Sequence, residues 1–321
     1  MSKGTVALYG VGGCGLNIVN RFESHPPLDG QATIIPYYFD TSMANMKDNI
    51  DPARHYLLKD KDGSGGVRSE NYETISKVVR NVLQEQEPAD FNIVVFSASG
   101  GSGSVMGPLI IKEMLERDLP VVAIVIGACE SNLATENTMK TLKSLDNIAS
   151  NIVHKPVVIH YAQNEPGVKR SEVDHLIMRT VVALSIMASG ENHALDSQDI
   201  LHFLQYHRAT KVKPGLALLE VYEENDAVGR HKTPIGIISL LKNPDEPTHS
   251  VIPEYTKVGY PRRELGNFNL LHFVIDHGEV SDIAKSMTDL MTEQEKLRQS
   301  RVNPGSLITN KDVSTDDGLV L

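Results

Sequence analysis

Six consecutive residues, Ser99-Gly100-Gly101-Ser102-Gly103-Ser104, hold three glycines and three serines. They follow the apolar, β-branched run Phe91–Phe96 and precede Pro108–Leu115, where apolar residues recur at helical spacing. A strand that ends in small residues and runs into a helix turns several backbone N–H groups toward one point. The positive end of the helix dipole adds to them, and the missing Cβ atoms at Gly100, Gly101 and Gly103 let an anion come close. A flexible strand-to-helix turn needs fewer glycines than this, so the composition points to phosphate. A second cluster, Gly10-Val11-Gly12-Gly13-Cys14-Gly15, fits G-x-G-x-x-G, and a third is Gly63-Ser64-Gly65-Gly66. Chemistry of another kind is written at Asp196 and Asp199, spaced so that a helix carries both carboxylates on one face. The same spacing suits an N-cap followed by a first-turn acid, and one pair can do both jobs.

The Gly10–Gly15 cluster lies between a strand and a helix, and Asp40 closes the second strand, where a ribose-binding acid sits in a dinucleotide enzyme. Alone, that pattern describes a nicotinamide-dependent oxidoreductase. Three glycine loops at one sheet edge fit a chain of three phosphates better than a pyrophosphate. There is no G-x-x-x-x-G-K-[ST] and no Gly-Lys dipeptide, which excludes a P-loop NTPase. Backbone N–H groups and a divalent cation would then hold the phosphates without a dedicated lysine.

The elements that must position these loops alternate. Strands are expected at Thr5–Tyr9, Ile34–Phe39, His55–Leu58, Phe91–Phe96, Val121–Ile126 and Pro156–Tyr161. Between them come helices over Leu16–Ser24, Ser69–Gln86, the stretch to Arg117, and Thr135–Ser150. Strands that are apolar on both faces and alternate with helices imply a parallel sheet covered on both sides. Ser171–Ser189 then forms a long helix without internal glycine or proline, apolar over a broad surface, as a helix buried between two domains would be. A helix over Ser197–Arg208 and strands at Leu216–Tyr222, Ile235–Leu241 and Leu270–Ile275 form a smaller mixed unit, and a last helix runs from Val280 to Arg301.

The totals narrow the field. The 321 residues suffice for a sizeable core, and 40% hydrophobic with 22% charged content is that of a soluble globular protein. A formal charge of −10 argues against direct nucleic-acid binding. No run is long enough to span a bilayer, no signal peptide is apparent, and two cysteines without ligand spacing suit a reducing cytoplasm. The twelve histidines show no H-x-x-x-H clustering, so no structural metal is expected.

Ser99–Ser104 resembles the signature loop of the tubulin and bacterial cell-division FtsZ superfamily, and Gly10–Asn17 resembles the first FtsZ glycine loop. The branch found in large bacteriophages is more similar still, through Ser104–Ile110, Thr138–Leu142, Leu195–Asp199 and the closing Asp317-Gly318 with its apolar end. The resemblance spans essentially the whole chain. It implies an α/β tubulin/FtsZ-like fold: a parallel Rossmann-like GTPase domain over residues 1–170, a central helix over 171–191 and a mixed α/β domain over 192–278. A C-terminal helix (279–302) and an acidic tail (303–321) complete it. It further implies a filament-forming GTPase that binds GTP or GDP with Mg2+ between head-to-tail monomers, the filament positioning phage DNA in the host bacterial cytoplasm.

By resemblance, Asp196 and Asp199 are the acids that reach the γ-phosphate on a neighbour, where two carboxylates orient and polarise water and help hold the cation. The nucleotide set carried over is Gly12, Gly13, Cys14, Asn17, Asp40, Gly65, Gly66, Gly100, Gly101, Ser102, Gly103 and Ser104. Asn164 and Asp174 match base-contacting positions and Glu130 a ribose-facing one; Asp174 also suits a first-turn acid. Cys14 stands where cell-division relatives commonly carry glycine. Phage relatives use the tail to grip the adjacent monomer, which pairs Asp316 and Asp317 with Arg298 and Arg301. The nicotinamide enzyme, and a nucleotide-gated polymer with negligible turnover, are the alternatives.

Overall fold

The computed structural model describes residues 3–24, 29–58, 62–263 and 268–300. Eleven strands form one sheet in the order β3-β2-β1-β4-β5-β6-β8-β11-β9-β10-β7. Its first half is parallel: β1 (Thr5–Val11) lies between β2 (Thr33–Asp40) and β4 (Phe91–Ser97), with β3 (His55–Leu57), β5 (Val121–Ala128) and β6 (Val157–Asn164) outside them. Every residue of β5 is buried, as a strand covered on both faces requires. Chain order reverses at β1 and β4, so their carboxyl ends open the crevice where parallel α/β sheets take ligands.

One face of the sheet is covered by α1 (Gly12–Val19) and α5 (Arg170–Met187), the other by α2 (Tyr72–Glu85), α3 (Gly103–Glu116) and α4 (Asn132–Asn147). The sheet continues without a break: β8 (Leu216–Tyr222) pairs parallel with β6, then antiparallel β11 (Leu270–Asp276) and β9 (Gly236–Leu241) follow. The long helix α5 buries one face along its length and nearly all of its last two turns, whereas Leu176, part of its apolar surface, is exposed. Its Ile177, Val181 and Leu184 share one core with Leu8 of β1 and Phe273 of β11. A last helix, α8 (Gly278–Ser300), runs beside α4.

Both helices that follow glycine loops start earlier than apolar periodicity indicates. α1 begins at Gly12, directly after β1, and α3 at Gly103, five residues before Pro108. Their first turns are made of the glycines and serines that composition assigns to loops. Three small elements had no sequence signal: β7 (Asn192–His193), α7 (Asn225–Val228) and β10 (Tyr255–Pro261). β10 is half-exposed at the sheet's far side and carries Lys257, Gly259 and Pro261, all depleted in strands. The remaining helix, α6 (Ser197–Leu204), stops at Gln205, short of the expected Arg208.

Candidate functional site

The three glycine loops meet in one cleft of about 300 Å³ at the carboxyl ends of β1, β2 and β4. Gly12, Gly13, Cys14, Asp40, Gly65, Gly66 and Gly100 through Gly103 line it. Gly12 takes a positive φ of 69°, and Gly65 and Gly66 take 54° and 80°, conformations that favour glycine. A Cβ at Gly101 would sit 1.9 Å from Ser64 Oγ and 3.1 Å from the Gly66 carbonyl carbon, so two loops touch where their side chains are missing. α1 and α3 both point their N-termini here. Neither has a side-chain cap or an acid in its first turn. Each helix from α2 to α7 other than α3 has at least one of the two. Two helix ends left open toward one cleft make an anion site.

Hydroxyls stitch the loops together. Thr41 Oγ1 is 2.6 Å from Ser102 Oγ, which donates to Ser64 Oγ at 3.1 Å. Asp40 Oδ1 accepts from the Thr41 N–H and Oδ2 from Asn45 Nδ2, both at 2.7 Å. Burial nonetheless holds the Asp40 carboxyl above its ordinary value, against those two hydrogen bonds. Ser104 is buried behind the loop, and its hydroxyl bonds the carbonyls of Gly100 and Gly101 at 2.6 and 2.9 Å. Asn137 of α4 donates to Gly66 O and Ser99 O, clamping the Gly63–Gly66 loop to the Ser99–Ser104 loop.

Arg68 was not among the sequence candidates, and one signal for it existed. Pro108 inside α3 has no N–H to give to the Ser104 carbonyl one turn back. Arg68 Nη1 donates to that carbonyl at 3.0 Å and also bonds Thr141 Oγ1. Burial lowers its guanidinium pKa from the ordinary value. Thr41, Asn45, Ser64 and Asn137 lacked any signal, because their roles depend on loops meeting in space.

The other nucleotide candidates, Asn17, Glu130, Asn164 and Asp174, are not among the residues that line the cleft. Asn17 is exposed on α1. Asn164 ends β6, and its carbonyl accepts from the Cys129 N–H at 3.3 Å. Glu130 is paired with Arg170 at 2.7 Å and Asp174 with Arg21 at 2.6 Å. Burial pushes the Cys14 thiol up to about 11, with Asp174 adding and Arg170 opposing, so the thiol stays protonated at neutral pH. Among the described residues no group of three His, Cys, Asp or Glu side chains could hold a metal. The oxygen donors present (the Asp40 carboxylate with the Thr41, Ser42 and Ser102 hydroxyls) fit a hard cation held mainly by phosphate oxygens.

Asp196 and Asp199 are not in this cleft. They line a separate pocket with Gly4 and Asp90, which precede β1 and β4, and so lie at the opposite edge of the sheet. One strand length, about 20 Å, separates the edges. The pair does form a helix cap. Asp196 Oδ1 accepts from the N–H groups of Gln198 and Asp199 at 2.8 and 2.9 Å, and Asp199 Oδ2 accepts from the Asp196 N–H at 3.2 Å. α5 links the two sites: Arg170 and Asp174 stand at one end and Met187 and Ala188 at the other.

Residues 5–156 match the family model described as the Tubulin/FtsZ family, GTPase domain, and residues 195–280 that of the phage tubulin-like protein, C-terminal domain. The chain is similar to a phage tubulin-like protein of Pseudomonas phage phiKZ, 28% identical over 100% of this chain and 99% of the relative. It superimposes on a protofilament of TubZ from bacteriophage PhiKZ with a TM-score of 0.88 at 27% identity, covering 99% of each chain. A structure of the phage tubulin PhuZ with GDP gives 0.87 at 26% identity, again over 99% of each chain.

Proposed function

Because the chain belongs to the tubulin/FtsZ family, as a phage tubulin-like GTPase that forms filaments, we propose that its GTP is hydrolysed between head-to-tail subunits. What carries this reading is that each half of an active site sits at an opposite end of the same strands. Among the described residues, the cleft has anion donors and a single lining acid, Asp40; the other pocket has three carboxylates, Asp90, Asp196 and Asp199, and no phosphate cradle. Stacking one molecule on the next brings the halves together.

In the cleft, the open N-termini of α1 and α3 and the glycine N–H groups hold the phosphates, and Thr41 and Ser102 offer hydroxyls beside them. A bound Mg2+ would offset phosphate charge and polarise the γ-phosphate, with Asp40 the described carboxylate that lines the cleft. Asp196 and Asp199 of the next subunit orient and polarise the attacking water. Asp174 and Asn164 match guanine's N1–H and N2–H2 donors, and Glu130 faces the ribose. Asp174 shares its charge with Arg21 meanwhile. The match of residues 5–156 to the GTPase-domain model leaves the nicotinamide alternative without an observation in its favour.

We assign filament assembly in part to the tail, through Asp316 and Asp317 on Arg298 and Arg301 of a neighbour. Arg301 and the tail lie outside the described residues, whereas Arg298 is exposed, 3.7 Å from Glu295. The filament works in the host bacterial cytoplasm, where it positions phage DNA. No described helix is long and apolar enough to cross a membrane.

Asp199→Ala tests the assignment. GTP binding should be retained, phosphate release should drop by about a hundredfold or more, and filaments should persist unusually long. Unchanged phosphate release would remove Asp199 from the mechanism.

A further inference from the structure

We propose that Lys257, on strand β10, is the positioning residue that holds the Asp199 carboxylate for its part in hydrolysis. The proposal rests on the shared-site reading above. Lys257 Nζ is 2.8 Å from Asp199 Oδ1, and the Tyr255 hydroxyl is 3.4 Å from the same oxygen. The other oxygen, Oδ2, accepts the Asp196 N–H. Two donors thus come from β10 and one from the helix cap, and they arrive on different oxygens. β10 pairs in parallel with β9, setting Lys257 opposite Ile238. That register puts Tyr255 and Lys257, two residues apart, on one face of the strand.

Helix capping does not explain the ammonium. Asp196 already accepts two N–H groups of α6, and the reciprocal bond uses Asp199 Oδ2 alone. Oδ1 is left over for another purpose. The Asp199 side chain, 16% exposed, lines the pocket, and Lys257, 40% exposed, stands against it. The groups that face Asp199 are Asp196 beside it, Lys257 and Tyr255 on β10, and His193, Asp90 and Arg262 around the same pocket. Burial pushes the Asp199 carboxyl up, but the Lys257 and Asp196 hydrogen bonds bring it below its ordinary value. A carboxylate so held is ionised at neutral pH and fixed in direction, as a water-orienting group must be. Lys257 acts through Asp199, from an element of the C-terminal half.

The test compares Lys257→Met, Lys257→Arg and Asp199→Asn by phosphate release at saturating GTP, with GTP affinity measured on unassembled protein. Lys257→Met should lower turnover per assembled subunit about tenfold and move the acid limb of the pH–rate profile to higher pH. GTP affinity should not change, since the cleft is at the other edge, and Lys257→Arg should recover most of the rate. Wild-type turnover and an unmoved acid limb in Lys257→Met, beside an inactive Asp199→Asn, would overturn the proposal. A fully active Asp199→Asn would instead overturn the shared site itself. If Lys257→Met does not assemble, carboxyl 13C titration of Asp199 in the unassembled protein decides. Its pKa must rise in Lys257→Met and stay low in Lys257→Arg, and an unmoved value in Lys257→Met overturns the proposal.

Discussion

Gly101 has no room for a side chain. Ser64 Oγ and the Gly66 backbone occupy the space, so any substituent must separate two loops that jointly line the cleft. Gly101→Leu should therefore weaken GTP binding by about a hundredfold, roughly 2.7 kcal/mol, while leaving the far-UV spectrum of the fold intact. Tight GTP binding by that variant in a calorimetric titration would mean that the phosphates do not sit where the loops meet. At this scale the sequence was legible wherever one residue type has one physical use. Of the glycines that line the cleft, Gly12, Gly65 and Gly66 hold positive φ values and Gly13 and Gly101 leave no room for a Cβ, so glycine is required at each of these five. Asn45, Ser64 and Asn137 stayed hidden, since an amide or hydroxyl has many uses until its neighbours are known. Arg68 lies between these cases: Pro108 leaves the Ser104 carbonyl in want of a donor, but not which residue supplies it.

The helix ends divide by what closes them. α6 is sealed by Asp196 and Asp199, and α4 by Ser131, whereas α1 and α3 end in glycine and wait for an external anion. β10 was illegible because Lys257, Gly259 and Pro261 interrupt its four strand-favouring residues and leave no continuous apolar run, yet it brings Lys257 to Asp199. In the same half, β8 and β11 enclose a buried charge cluster. His231 lies between Glu220 Oε2 at 3.1 Å and Asp276 Oδ2 at 2.9 Å, with the Tyr222 hydroxyl at 2.9 Å. Burial alone would lower the imidazole pKa, but hydrogen bonds with Asp276 and Glu220 raise it to about 9. Its folded value thus exceeds the unfolded one near 6.5. The stabilisation is complete below about pH 6.5 and is lost as pH rises through about 9, by roughly 2–3 kcal/mol. Urea midpoints should fall over that window in the wild type and much less in His231→Gln. A flat wild-type profile would mean that His231 is neutral in the fold.

At the scale of the whole molecule, the two edges of the sheet carry unlike sites. Phosphate donors gather at the carboxyl edge of the sheet and acids at the amino edge, joined by α5, a helix about 27 Å long. Under the proposed head-to-tail stacking, its contacts would be heterologous, and these propagate into a filament when the rotation between copies does not close a ring. The parallel sheet was legible because fully buried strands are continuously apolar. Its extension into the C-terminal half was not, since β6 and β8 pair across some fifty residues of helix and loop. Deletion of residues 306–321 should abolish filaments, seen by light scattering, while GTP still binds; normal filaments from the truncated chain would relieve the tail of any part in assembly.

The most direct test of a site shared between subunits is complementation. Asp199→Ala keeps the cleft and loses an acid; Gly101→Leu loses the cleft and keeps both acids. Each alone should release little phosphate from GTP. Mixed, they should release it at a rate higher by roughly an order of magnitude, because the intact cleft of one faces the intact acids of the other. A mixture that co-assembles and yet releases phosphate no faster than its parts would contradict a shared site.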